Sequence, residues 1–405
     1  MELGNELLLQ GFVIALLMGA FAIRTRFCTL GAIADLVTYG SSGRMRAWIL
    51  AATVAILGVA GLQAFDLIDM RLVANNDTAS PPYRIAQFAW PRYLVGGVMF
   101  GIGMTLASGC TYKTLLRLGS GNLKALVVLA ATALAAYLMI FTNFGYNAFL
   151  RWMQPGFIDL EAWGLPDQGL DSLLAGAFGV PGDTWHTLIA AVLGVALLLW
   201  LFRSAEFRRQ GDNIVGGAVV GLMVVAAWYL TAGPTGQAYL DEIAFMDTPP
   251  LAAGAQSLTF IQPSAHLLHW ITTGFAHHYV SFALVIGAGV LVGAFVYSVG
   301  SRGFRFEWFS DWRDFSRHLL GGLLMGMGGV LAMGCTIGQG VAGVSTLAMG
   351  SFITFGAIVL GSSVTLRVTY YKLVYARHAT FWRALTAALA DLRLWPSRLR
   401  GLDPY

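Results

Sequence analysis

Residues 92–111 read RYLVGGVMFGIGMTLASGCT, and residues 317–336 read RHLLGGLLMGMGGVLAMGCT. At a constant offset of 225 and without a gap, the two stretches share an arginine (Arg92, Arg317) and five glycines. They also align Leu106 with Leu331, Ala107 with Ala332, Cys110 with Cys335 and Thr111 with Thr336, and the same offset puts Ser120 on Ser345. A Gly-Cys-Thr block set among so many identities marks an internal repeat.

Each copy is an apolar run shorter than the roughly 20 residues a helix needs to cross about 30 Å of hydrocarbon, and each is interrupted by Gly-Cys-Thr. The expected result is a half-helix that stops inside the bilayer. Gly109 and Gly334 suit a C-terminal cap with positive φ, and Thr111 and Thr336 suit the start of a following half-helix. Backbone that breaks at membrane depth must be buried in protein or line a polar cavity. The half-helix N-termini would present free N–H groups that favour an anion, with Lys113 beside the first break only. A cysteine in a membrane helix ordinarily behaves as a small hydrophobe, but symmetric placement at two breaks favours a functional reading for Cys110 and Cys335. Gln339, just past the second break, joins the candidate path. The glycine pairs Gly97/Gly101 and Gly322/Gly326 are read as close helix packing.

Hydrophobic residues make up 57% of the 405 residues and charged ones 11%, and mean hydropathy is +0.67, so the chain belongs in lipid. Nine long apolar elements are predicted, at about residues 7–23, 47–68, 93–109, 123–142, 184–202, 214–232, 280–299, 318–334 and 351–371. The N-terminal run lacks a basic n-region and a small-residue cleavage site, and is read as a retained first span. With the N-terminus outside, all but Arg71, Arg84, Arg92 and Arg151 of the 25 Lys and Arg fall on the cytoplasmic side, including Arg377 in the tail. The net charge of +4 therefore reads as a topology signal, and no nucleic-acid partner is expected.

The two copies fall in the third and eighth spans, and that odd separation turns one upside down. The predicted fold class is an all-α polytopic membrane protein: about nine spanning elements in two inverted repeats, with broken half-helices meeting near mid-membrane. One half covers residues 1–142, an outer loop and connector helix 143–212, the second half 213–371 and a basic cytoplasmic tail 372–405. Laying Gly11, Leu17 and Met18 on Gly216, Leu222 and Met223 puts Cys28 opposite Gly233.

Cys28 sits in RTRFCTLGAIADL (24–36) with Thr29, Arg24, Arg26 and Asp35. The arginines can collect an anion or anchor the helix at the headgroups, and Asp35 can pair with an arginine, cap a helix or carry a coupling proton. His266, His269, His277 and His278 crowd into one outer segment, but their spacing lacks an adjacent cysteine or carboxylate, so they read as interfacial rather than metal-binding. No metal or cofactor is expected.

Three segments, RTRFCTLGAIADL, ASGCTYKTLLR (107–117) and AMGCTIGQGVAG (332–343), resemble the cysteine motifs of the YeeE/YedE (TsuA-like) sulfur transport family. The resemblance covers most of the chain. It implies a pseudo-two-fold inverted bundle whose three path cysteines correspond to Cys28, Cys110 and Cys335, and thiosulfate uptake across the bacterial inner membrane. A small cytoplasmic sulfur carrier of the TusA type is an implied partner. The alternatives are transport of another sulfur or selenium compound, or a membrane thiol sulfurtransferase. The latter would want a lowered thiol pKa and a nearby base or CxxC pair, which the sequence lacks. The chain is therefore expected not to be an enzyme.

Overall fold

A computed structural model describes residues 2–178, 182–375, 380–396, 398 and 400–402. Each of the nine apolar runs is a helix: α1 (Glu2–Thr25), α3 (Gly43–Ala64), α4 (Trp90–Leu106), α6 (Lys124–Phe141), α8 (Gly182–Phe202), α9 (Gly211–Ala232), α12 (Phe282–Gly300), α13 (Trp312–Leu331) and α14 (Met349–Val374). Among the described residues, eight helical stretches are long and apolar enough to cross a membrane. The ninth, α13, opens with Arg313, Asp314, Arg317 and His318, and its apolar part begins further in. The protein is a multi-pass, all-α membrane protein.

Shorter helices lie between them, α2 (Thr29–Ala34), α5 (Thr111–Gly119), α7 (Leu170–Phe178), α10 (Pro234–Ile243) and α11 (Gln262–Thr272), and one follows them, α15 (Phe381–Asp391). Among the described residues, the sheet content is one two-stranded ribbon, β1 (Gln87–Phe88) antiparallel to β2 (Ile158–Asp159). The tail forms α15, whose Asp391 accepts from Tyr371 on α14 and pairs with Arg400. Arg377 lies outside the described residues.

α4 crosses α13 with almost nothing between the two backbones. A Cβ on Gly96 would sit 2.6 Å from the Ala332 nitrogen and 2.8 Å from the Gly328 oxygen. On Gly321, it would sit 2.6 Å from the Ala107 nitrogen and 2.7 Å from the Gly103 oxygen. These contacts are related by the same offset of 225: Gly96 maps to Gly321, and Gly103 and Ala107 map to Gly328 and Ala332. Gly101 against Ile358 and Gly326 against Thr132 extend the correspondence to α14 and α6. Small residues allow this approach, and dispersion between close backbones rather than a hydrophobic gradient holds such helices together.

Two loop segments are drawn inside. Residues 254–261 are buried without regular structure, and are tied in by Ala255 N–H donating to Thr78 O at 2.8 Å and Gln256 N–H to Thr231 Oγ1 at 3.0 Å. Gln168 ties residues 167–171 to the start of α14, accepting from Met349 N–H at 3.0 Å and Gly350 N–H at 3.0 Å while donating to Tyr93 Oη at 2.9 Å. Beside it, buried Arg84 donates to Asp167 at 2.9 Å and Asp171 at 2.8 Å.

Candidate functional site: three cysteines at broken helices

Three helices break in the same way. α1, α4 and α13 each end in a left-handed residue, Arg26 (φ 54°), Ser108 (φ 61°) and Met333 (φ 58°), two positions before Cys28, Cys110 and Cys335. The next amide then reaches back to close the turn: Phe27 N–H to Ala22 O at 3.2 Å, Gly109 N–H to Met104 O at 2.9 Å, and Gly334 N–H to Gly329 O at 2.8 Å. This is a Schellman closure. It corrects the expectation for Gly109 and Gly334: the positive φ falls one residue earlier, because each helix runs on to Ala107 or Ala332. The glycines instead keep space clear, since a Cβ on Gly109 would meet the Lys113 side chain at 3.0 Å and one on Gly334 the Gln339 side chain at 3.1 Å.

The cysteines, not the threonines, occupy the cap of the following helices. Cys28 (φ −158°, ψ 122°) and Cys110 (φ −70°, ψ 170°) are extended residues that start α2 and α5. The Cys28 sulfur accepts from Gly31 N–H at 3.4 Å and the Cys335 sulfur from Gly338 N–H at 3.4 Å. Thr111 and Thr336 therefore lie one residue inside their helices, which corrects the capping expectation. After Cys335 the chain turns through a π-helix, Gly338–Gly343. A fourth break at Gly233, the position laid opposite Cys28, starts α10 from an extended residue, without a thiol.

These breaks converge. Thr29 Oγ1 donates to Thr336 Oγ1 at 3.3 Å and accepts from Trp48 Nε1 at 3.1 Å, so the Cys28 and Cys335 segments touch. The Thr336 hydroxyl also faces the Cys110 thiol, and Cys110 lies within electrostatic range of both other cysteines. Cys110 is 1% and Cys335 0% exposed, whereas Cys28 is partly open.

Two cavities approach this centre from opposite sides. One of about 300 Å³ is lined by Ser80, Pro81, Thr259, Met333 and Gly334. The other, of about 460 Å³, is lined by Cys28, Gly31, Thr105, Ser108, Arg317 and Tyr370. The Cys28 thiol lines the second cavity, and the first reaches Gly334, the residue before buried Cys335; soft thiols flanked by hydroxyls and amide donors can hold a polarizable anion without fixing it.

The polar groups freed by the breaks are answered from within the protein. Arg117 donates to Ala107 O at 3.2 Å, and at the equivalent place Gln339 donates to Ala332 O at 2.5 Å. Gln339 also accepts from Ser351 Oγ at 2.6 Å, so it braces the break. Arg92 covers the other helix end, donating to Leu331 O at 3.3 Å.

Of the predicted residues, Lys113 is half-buried beside Gly109, and Arg24 and Arg26 are both exposed at the end of α1. Neither Arg24 nor Arg26 lines the 460 Å³ cavity; the arginine that does is Arg317. The repeat marks Arg317 as the mate of Arg92, but no local sequence signal places it on this cavity wall. Asp35 pairs with Arg44 at 2.6 Å. Two of the clustered histidines pack within the protein: His269 stacks on Phe141 at 4.1 Å and His266 binds Ser281 at 2.7 Å. Among the described residues, no three His, Cys, Asp or Glu side chains are grouped to hold a metal ion.

A family described as sulphur transport matches residues 24–364. The thiosulfate transporter TsuA of Escherichia coli K12 is 26% identical over 397 residues, covering 95% of this chain and 99% of that protein. TsuA of Spirochaeta thermophila is 23% identical over 363 residues, covering 87% of this chain and 96% of that protein.

Proposed function

This chain belongs to the sulphur transport family, a family of transporters rather than enzymes, and from that premise we propose that it takes up thiosulfate across the bacterial inner membrane. The path starts in the 300 Å³ cavity and passes Cys335, then Cys110, then Cys28, to leave through the 460 Å³ cavity. The observation that carries this reading is the pair of cavities on opposite sides of a buried centre, one reaching Gly334 and the other Cys28, with the two most buried cysteines between them. The relatives named as thiosulfate transporters support the choice of substrate.

The chemistry suits such a cargo. Thiosulfate is a dianion with three oxygens and one soft terminal sulfur. A neutral thiol donates a weak hydrogen bond to that sulfur, and weak contacts in series allow release as well as capture. The helix starts at Cys110 and Cys335 add amide dipoles of the sign an anion needs. The breaks belong to two inverted copies, which the reciprocal glycine contacts at the offset of 225 support. The basic loops put the Cys28 cavity on the cytoplasmic side. Arg317 there offers a charge to the departing anion, and a TusA-type sulfur carrier takes it up at that face.

The test is uptake of labelled thiosulfate by the purified protein in proteoliposomes, with and without a proton or sodium gradient. Uptake above empty vesicles, competed by unlabelled thiosulfate more strongly than by sulfate, sulfite or selenite, is the expected result. Full uptake by the C28A/C110A/C335A triple variant would refute the thiol path.

A further inference from the structure

Two hydroxyls beside Cys335 have nothing to bond to. Tyr83 is 3% and Thr259 2% exposed, and neither Tyr83 Oη nor Thr259 Oγ1 finds a hydrogen-bond partner. They point at one place: a Cβ built on Gly338 would lie 2.8 Å from Thr259 Oγ1 and 3.5 Å from Tyr83 Oη. The amide of that same glycine donates to Cys335 Sγ at 3.4 Å. The two hydroxyls therefore pack close to the Gly338 backbone, where a side chain would crowd Thr259, and next to the amide that faces the thiol. The 300 Å³ cavity reaches the edge of this group, since Thr259 and Gly334 line it.

We propose that Tyr83 and Thr259 form, with Cys335, a receiving subsite that binds the oxygen end of a sulfur oxyanion entering from this cavity. Burying a hydroxyl unpaired is unfavourable, so two adjacent ones are a burden that a ligand accepting both protons would lift. A charged oxygen is the stronger acceptor. The dianion turns its oxygens to the hydroxyls and its terminal sulfur to the thiol, so recognition is split between two chemistries. Hydrosulfide has the sulfur and no oxygens, and sulfate has the oxygens and no terminal sulfur; each satisfies half of the site. A site built around hydrogen-bond donors rejects an analogue that leaves them unpaired.

The inference rests on the transport reading, and the experiment separates the two. Tyr83→Phe and Thr259→Val keep the shape and remove only the hydroxyls. In proteoliposomes each raises the half-saturating thiosulfate concentration roughly tenfold or more, as expected for a hydrogen bond to a charged group. The melting temperature without ligand stays level or rises, because an unpaired polar group has left the interior; a hydroxyl with a merely structural role would lower it. A second measurement does not need transport: thiosulfate raises the melting temperature of the unaltered protein by mass action, and the double variant loses that shift. Unchanged half-saturation in both variants, or a ligand-induced shift that survives in the double variant, overturns the subsite. Absence of uptake by the unaltered protein defeats the transport reading, and the melting shift then decides the subsite alone.

Discussion

Thr29 and Thr336 share a hydrogen bond of 3.3 Å although they belong to opposite ends of the chain. Each is the residue directly after a cysteine at a helix break, so the contact fixes the Cys28 and Cys335 segments against one another. Trp48 adds a third element: its indole donates to Thr29 at 3.1 Å while its ring stacks on Phe355 of α14 at 4.0 Å. The centre is a knot of three segments whose geometry depends on one hydroxyl.

That hydroxyl gives an ordering. Thr29→Val removes the contact with Thr336 and also leaves the buried Trp48 N–H unpaired, for a cost of about 1–3 kcal/mol. Thr336→Val removes one neutral hydrogen bond, worth about 1 kcal/mol. Thermal unfolding in detergent is expected to rank the variants in that order. Equal melting temperatures for T29V and T336V would contradict the arrangement.

The cysteines separate structure from transport. Serine at 28 or 335 keeps an acceptor toward the Gly31 or Gly338 amide, whereas alanine removes it at about 0.5–2 kcal/mol, the usual cost of a lost helix cap. Alanine variants are expected to melt lower than serine variants, while both sets lose most uptake because neither presents sulfur to the anion. Serine variants that transport at the unaltered rate would remove the thiols from the mechanism.

The sequence discloses these breaks only in part. Nine apolar runs are legible because hydrocarbon demands length and hydropathy, and the Gly-Cys-Thr breaks are legible because they recur at a fixed offset. The frame within each break is not, since it depends on where the helix stops: running on to Ala107 and Ala332 moves the positive φ to Ser108 and Met333 and gives the cap to the cysteines. Residues that meet across long stretches leave no local signal. Arg317 joins Cys28 on one cavity wall, and Arg84 gathers Asp167, Asp171 and His186 from separate segments. No periodicity links such positions, and tertiary packing alone brings them together.

Glycine contacts between α4 and α13 predict a contrast. Gly96→Ala and Gly328→Ala each drive a methyl to within 2.8 Å of the opposing backbone, which neither helix can yield without separating. Each is expected to cost about 1–3 kcal/mol, as overpacking does. Gly61→Ala, in α3, meets nothing within 4 Å and is expected to be neutral or slightly stabilising through helix propensity. Loss of stability in G61A equal to that in G96A would show that the close crossing is not what limits the bundle.

The cluster around Arg84 sets an acid limit on the loops it ties together. Burial alone would raise the Asp171 carboxyl, but the hydrogen bond with His186 and the charge of Arg84 outweigh it and hold the group to about 2. An unfolded aspartate titrates near 3.9, so the folded chain binds the proton less readily than the unfolded one. The stability this provides is present above about pH 4 and is lost as pH falls toward 2. Melting temperature followed from pH 7 to pH 2 is therefore expected to hold level and then drop in this window. Asp171→Asn removes the charge that Arg84 faces, so it melts lower at pH 7 and drops less in acid. If D171N matched the unaltered protein at pH 7, or kept the same acid slope, the carboxylate would not be the group that ties residues 167–171 to Arg84.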